Sequence, residues 1–239
     1  MESPPTGASF ADAWAVADGI KGWLTRAQAR LLWDEAAALR PGSTIVEIGS
    51  HQGRSTVVLA RAVADSGSTV VAIDPFVDGR LFGGRATRDL FEANLERAGV
   101  TDAVTLLPEY STRARPAWTA SLDGLYIDGK HDYWTLSDDL RWAEHLPPGA
   151  PVLVHDCYSS IGVTLGVLAH VLPSRRLRYE GREGSLALFR VAPPATSDRM
   201  RILAQLPWWL RNVGLKILLR LRLRPVARLL GHDSPYDPY

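Results

Sequence analysis

The stretch from Ser43 to Thr56, STIVEIGSHQGRST, constrains what this chain can fold into more than any other. Ile45, Val46 and Ile48 read as a buried strand, Gly49 and Gly53 as a turn, and a helix is expected from about Arg54. A strand that runs through small residues into a helix N-terminus lets the backbone approach a nucleotide cofactor closely. A dinucleotide fingerprint asks for G-x-G-x-x-G. Here Glu47 holds the first glycine position, giving E-x-G-x-x-x-G. A carboxylate at that point repels a pyrophosphate and suits a cationic ligand, such as the amino acid end of S-adenosylmethionine.

The rest of the chain alternates strands with helices. A short helix is expected around Trp14 in a loose arm, then a helix from a Thr25 cap to about Leu39, closed by Pro41-Gly42. Strands follow at Thr69–Ile73, Ala103–Leu107, Leu125–Ile127 and Pro151–Val154, with helices at about Ala86–Arg97, Tyr133–His145 and Ile161–Leu172 between and after them. The Tyr133 helix, capped by Asp132, is expected to bury Trp134, Leu136, Leu140 and Ala143. Leu177–Glu180 and Ser185–Val191 lie close around Gly181 and Gly184, which suggests a hairpin. Phe76 to Arg85 carries three glycines and is long enough to act as a lid. The predicted fold is α/β: a Rossmann-like, doubly wound, seven-stranded and mainly parallel sheet with one antiparallel strand near an edge, plus a helical C-terminal extension. The expected division is 1–40 for the arm and first helix, 41–192 for the cofactor-binding domain, and 193–239 for the extension.

Composition narrows the setting. The net charge of +1 across 239 residues gives no case for a nucleic-acid partner. Arg199, Arg201, Arg211, Lys216, Arg220, Arg222, Arg224 and Arg228 nevertheless fall in a stretch without an acid. A single cysteine, Cys157, excludes an intramolecular disulfide and fits a reducing compartment. No basic-then-apolar leader opens the sequence, and no apolar run reaches the roughly 18 residues of a membrane span. A cytoplasmic location is the expectation.

In an open α/β sheet, ligands bind beyond the carboxyl ends of the strands. Those ends here hold Glu47 to Gly49, Asp74, Glu109-Tyr110-Ser111, Asp128 with His131, and His155-Asp156. Asp74 follows the glycine turn by about 20 residues, the separation expected of an acid that accepts from ribose hydroxyls. The order EIGSHQGRST, AIDP, IDGKHDY, VLVHD resembles the class I S-adenosylmethionine-dependent methyltransferases, and most of all the small bacterial branch with sugar and natural-product O-methyltransferases. The resemblance runs from about Gly22 to Val191. It implies that Glu47, Gly49, Ser50, Gly53, Ser55 and Asp74 contact S-adenosylmethionine, and that Tyr110 and Ser111 lie near its adenine. Metal-dependent members carry a metal-binding aspartate where Asp128 stands, a catalytic histidine at His131, and an acidic metal-binding pair at His155-Asp156. His155 departs from that pattern.

The chemistry agrees with this implication. An alcohol is a poor nucleophile until it loses its proton; a hard divalent cation on oxygen ligands lowers its pKa, and a nearby histidine takes the proton. Asp128 and Asp156 supply the carboxylates, His131 the base, and Mg2+ is the expected ion, with His155 shifting preference toward manganese or another transition metal. Consecutive strand residues face opposite ways, so Asp156 is favoured over His155 as a ligand. The expected acceptor is a hydroxyl of a sugar, glycan or glycosylated natural product.

Several residues admit plainer roles. His51 and Arg54 reach either a substrate or the loop surface; Trp14, Trp23, Phe76 and Phe82 either wall an acceptor pocket or pack; Cys157 reads as a small buried residue. The apolar and basic residues of 199–230, interrupted by Pro207 and Pro225, fit a helix docked on the domain or on a second subunit, or one lying on an anionic membrane. The competing functions are an NAD-dependent oxidoreductase, against which Glu47 argues, and a non-catalytic cofactor-binding scaffold docked through its tail.

Overall fold

The computed structural model describes residues 9–78 and 83–232. Seven strands form one sheet: β1 Thr44–Ile48, β2 Thr69–Ile73, β3 Val104–Leu107, β4 Gly124–Ile127, β5 Pro151–Val154, β6 Leu177–Glu183 and β7 Leu186–Val191. Their order is β3-β2-β1-β4-β5-β7-β6. The pairs from β3 through β5 are parallel, and β7 runs antiparallel between β5 and β6. The predicted sheet is present, with its antiparallel strand one place in from the edge. The winding reverses between β1 and β4, which makes their carboxyl ends the switch point of the fold.

Ten α-helices accompany the sheet among the described residues: α1 Phe10–Ala17, α2 Arg26–Ala37, α3 Arg54–Val63, α4 Arg85–Ala98, α5 Ser111–Ala114, α6 Tyr133–Asp139, α7 Ile161–Gly166, α8 Thr196–Leu203, α9 Leu206–Arg220 and α10 Arg224–Leu229. A 3-10 helix (Leu140–His145) extends α6, and a π-helical turn (Val167–Val171) extends α7. Helix α2 starts at a capping box, in which Thr25 and Gln28 each accept the other's backbone N–H.

Strand alternation divides the core into two layers. Val46, Ile48, Leu125, Ile127, Val152 and Val154 pack on one face with Leu136, Trp142 and Phe189. Ile45, Val70, Ala72, Tyr126 and Leu153 pack on the other with Leu32, Val58, Leu59 and Phe91. Glu47 alternates with Val46 and so falls on the second face, against α3. That single parity decides its surroundings.

One expectation for the fold needs correction. Trp134 is not buried: it is 76% exposed, and Trp142 is the fully buried tryptophan of this segment. Trp134 precedes Leu136 by two positions, which turns it away from the Leu136–Leu140 stripe, whereas Trp142 reaches the core from the tighter 3-10 segment. The tail is interrupted ahead of Pro207 and Pro225, as expected: each sits in the first turn of a new helix, α9 and α10, where its missing N–H costs no bond. The proposed lid at 76–85 includes residues 79–82, Phe82 among them, which lie outside the described residues.

Trp142 meets Trp118 edge to face with ring centroids 5.3 Å apart. Trp142→Ala is expected to cost about 3–5 kcal/mol of unfolding free energy, measured by denaturant titration, with Trp142→Phe recovering more than half of the loss.

Candidate active site

A cleft of about 880 Å³ opens at the carboxyl ends of β1, β2, β4 and β5. Of the residues singled out from the sequence, Gly49, Ser50, Ser55, Asp74, Tyr110, Ser111, Asp128, His131, His155 and Asp156 line it. Glu47 and Gly53 lie behind this lining. Glu47 is fully buried; Ser55 Oγ donates to its Oε1 at 2.5 Å, and the Thr56 hydroxyl donates to Oε2. Both carboxylate oxygens are thereby tied to the first turn of α3. Burial raises its pKa to about 7, against the lowering effect of the Ser55, Thr56 and Ser50 hydroxyls and with Asp128 adding to the rise.

Glycine is required at two points of the turn. Gly49 has φ +87°, and a Cβ there would stand 2.3 Å from the Asp128 carbonyl oxygen. Gly53 has φ +87° at the N-cap of α3, and its Cβ would press within 3.1 Å of the Phe91 ring. Asp74 braces the same turn from β2: its Oδ2 accepts from the N–H groups of Ser50 (3.1 Å) and His51 (2.9 Å), and Oδ1 from Phe76 (2.9 Å). Oδ2 thus fills both of its lone pairs, and Oδ1 keeps one acceptor site.

Beyond β4 and β5 stand two acids and two histidines. Asp128 Oδ2 accepts from the Tyr126 hydroxyl at 2.9 Å, and Asp156 Oδ1 from Ser159 Oγ at 2.8 Å. Their other oxygens face the imidazoles. His131 Nε2 lies 3.0 Å from Asp156 Oδ2 and 3.6 Å from Asp128 Oδ1. His155 Nδ1 lies 3.3 Å from Asp128 Oδ1 and 3.4 Å from Asp156 Oδ2. Asp156 and His155 do reach the same point, against the alternation expected of consecutive strand residues. The reason is the backbone: Asp156 leaves β5 with φ +57°, which swings its side chain back beside His155.

These charges move each other's titration. Burial pulls both imidazoles down, but the neighbouring carboxylates outweigh it, raising His131 and His155 to about 10. The same pairing overcomes the upward push of burial on the acids, lowering Asp128 and holding Asp156 well below the carboxylate range. Asp128, His155 and Asp156 each offer a ligand atom within 4.8 Å of the others.

One residue escaped the sequence reading. Asp139, in α6, lines the cleft yet is 1% exposed. Its Oδ1 accepts from Ser111 Oγ at 2.5 Å, its Oδ2 has no hydrogen-bond partner among the described residues, and burial raises it to about 6. The signal was an acid on the Leu136–Leu140 stripe, where a polar residue is costly without a purpose. Of the residues with two readings, Arg54 lines the cleft but donates to Asp18 Oδ1 (2.8 Å) and the Ile20 carbonyl (3.0 Å), which fastens the arm that bears α1. His51 and Trp23 line the cleft with their rings 5.6 Å apart. Trp14 stacks under the Arg54 guanidinium, Phe76 packs on Phe91, and Cys157 is fully buried.

Residues 46–157 match the family model described as a methyltransferase domain. Solved structures share the fold. An O-methyltransferase from Bacillus cereus in complex with SAH superposes with a TM-score of 0.57 at 20% identity, over 76% of this chain and 88% of that one. The O-methyltransferase TomG from Streptomyces achromogenes, involved in tomaymycin synthesis and bound to SAM, gives 0.58 at 20% identity, over 79% and 92%. The SAH-bound methyltransferase PaMTH1 from Podospora anserina gives 0.60 at 14% identity, over 76% and 87%. The family model spans just under half of the chain, and the solved structures share the fold that the strand-end motifs implied.

The buried Glu47 carries a pH dependence of its own. Its carboxyl ionises near 4.5 in an unfolded chain and near 7 in the native protein. Between these values the native state holds a proton that the unfolded state has lost, so the stability tied to the neutral acid is full below about 4.5 and falls as pH rises to 7. Relative to Glu47→Gln, wild-type unfolding free energy is expected to drop by about 3 kcal/mol across this window. Parallel denaturant titrations of the two proteins measure it; a constant difference means that Glu47 is ionised throughout.

Proposed function

We propose that the protein is an S-adenosylmethionine-dependent O-methyltransferase that uses a divalent cation and acts on a hydroxyl of a saccharide or a glycosylated small molecule. The observation that carries this reading is the meeting of Asp128, His155, Asp156 and His131 at the cleft that the glycine turn opens into.

The donor set fits a cation. His155 Nε2 lies 3.4 Å from Gln28 Oε1, which also accepts the Thr25 N–H. Gln28 Oε1 offers only lone pairs, so Nε2 keeps its hydrogen, and Nδ1 becomes a lone pair when the imidazolium loses its second proton. That buried Nδ1 faces two carboxylates without a hydrogen bond. A lone pair set against two negative groups requires a proton or a metal ion between them. Asp128, His155 and Asp156 would hold the ion, and one nitrogen beside two carboxylates favours Mn2+ or a similar transition ion over Mg2+. When bound, the ion would orient the acceptor hydroxyl and lower its pKa.

S-adenosylmethionine, when bound, supplies a methyl group on a cationic sulfur. The role of this chain is to place both reactants and to take the proton. Gly49 and Ser50 bring backbone to the cofactor, Asp74 faces its hydroxyls, and Tyr110 flanks the far end of the cleft. His131, half exposed at the opening, accepts the hydroxyl proton as the C–O bond forms and the C–S bond breaks. With only Asp128 and Asp156 beside it, His131 is raised to about 10 and is an acid at neutral pH. Carboxylates committed to a cation no longer hold that proton, so the base and the metal site are coupled. The half-exposed Trp23 face, with Thr135 and Ser160 across the lining, supports a sugar as the acceptor.

His131→Ala is expected to lower turnover on an accepted sugar by at least about a hundredfold, while S-adenosylhomocysteine binding, read by calorimetry, stays within about twofold of wild type. Unchanged turnover removes His131 as the base. Lost S-adenosylhomocysteine binding in the wild type removes the methyltransferase reading itself.

A further inference from the structure

We infer that α9 and α10 form a docking face for an anionic lipid surface. An amphipathic helix on a soluble domain turns its apolar face inward. Helix α9 has apolar residues on both sides. Inward, Leu215 is fully buried, and the fully buried Asn212 donates from Nδ2 to the Tyr158 carbonyl at 3.1 Å, which anchors the helix to the loop after β5. Outward, Leu210, Ile217 and Leu221 are 62%, 53% and 63% exposed. They recur at intervals of seven and four, so they share one face of the helical path. Arg211 and Arg220, both exposed, flank that face about a quarter turn to either side.

Helix α10 continues the pattern. It folds back along α9, where Arg211 donates to the Leu230 carbonyl at 2.7 Å. Leu223, Val226, Leu229 and Leu230 are exposed, Leu229 at 87%. Arg222, Arg224 and Arg228 are exposed among them, and with Arg220 none of these four pairs with an acid among the described residues. Residues 199 to 232 contain no acid.

Charge selects the occupant. A second copy docked face to face by a two-fold axis would set arginine against arginine over an apolar seam. A bilayer rich in anionic lipid offers the complement: an apolar interior for the leucines and phosphates for the guanidinium groups. None of the described helices is long and apolar enough to cross a membrane, so the contact is peripheral. Helix α9 also lends Lys216 to the lining of the cleft, which places the cleft one helix away from the lipid surface.

Vesicle co-sedimentation of the full chain without cofactor tests this apart from catalysis. With phosphatidylcholine vesicles containing about 30% phosphatidylglycerol, the protein is expected to pellet, and with phosphatidylcholine alone to remain in solution. Raising salt from about 0.1 M to about 0.5 M is expected to weaken binding at least about fivefold. Leu210→Ser, Ile217→Ser and Leu221→Ser together are expected to abolish it with the melting temperature unchanged. Arg220→Gln, Arg224→Gln and Arg228→Gln form a second set that spares the apolar face, each change expected to weaken binding about fivefold. Failure to pellet with anionic vesicles, or equal binding by both sets and wild type, overturns the inference. So does a wild-type dimer in sedimentation velocity that the serine variant converts to monomer, which assigns the face to a second copy.

Discussion

The contact on which the site depends is the approach of the Gly49 backbone to the Asp128–Gly129 backbone, so close that a Cβ at Gly49 would stand 2.3 Å from the Asp128 carbonyl oxygen. Parallel pairing of β1 with β4 brings these strand ends together, with the Asp128 N–H donating to the Ile48 carbonyl at 2.8 Å and the Gly49 N–H to the Ile73 carbonyl at 2.9 Å. Three strand ends are thus bonded through the single Ile48–Gly49 peptide unit. The glycine turn and the strand end that bears Asp128 are held at a fixed spacing by backbone alone. A fixed spacing is what in-line transfer between two bound molecules requires.

Around that joint the protein spends stability on charge and strain. Glu47 is buried against the first turn of α3, Asp139 is buried with one free oxygen, and Asp156 and His51 hold positive φ values of 57° and 46°. Each left-handed non-glycine residue costs on the order of 1 kcal/mol or more. The return at Asp156 is specific: the strained residue is the one that brings a second carboxylate to His155. The Gln28 side chain, carried by a helix that precedes the sheet in the chain, then fixes which nitrogen of His155 faces the acids. A position 127 residues away in sequence determines the donor atom.

Much of this was legible in the sequence, and the limits were physical. Strand ends follow from short apolar runs broken by Gly, Pro and Asp, so Thr69–Ile73 and Pro151–Val154 could be read to the residue. The positions of Asp74, Asp128 and Asp156 at the cleft follow from the rule that places ligands at strand carboxyl ends. What could not be read depends on parity and on long-range partners. The strand period places Glu47 on the α3 face, but only the fold shows that Ser55 and Thr56 occupy its oxygens. Alternation argued against His155 because the sequence does not announce a left-handed residue at Asp156. Trp142 was missed because it reaches the core from the segment where the α-helix tightens into a 3-10 helix, a change of period that composition does not record.

The central claim is that Asp128, His155 and Asp156 form a cation site whose filling frees the neighbouring imidazoles of their protons. Calorimetric titration of Mn2+ into chelator-treated protein near pH 7.5, repeated in buffers of different ionisation enthalpy, measures the stoichiometry and the protons exchanged. The account predicts one ion per chain with net proton release, because His131 and His155, both raised to about 10 by the two acids, shed protons when a cation takes their place. No binding, or binding without proton release, would contradict it.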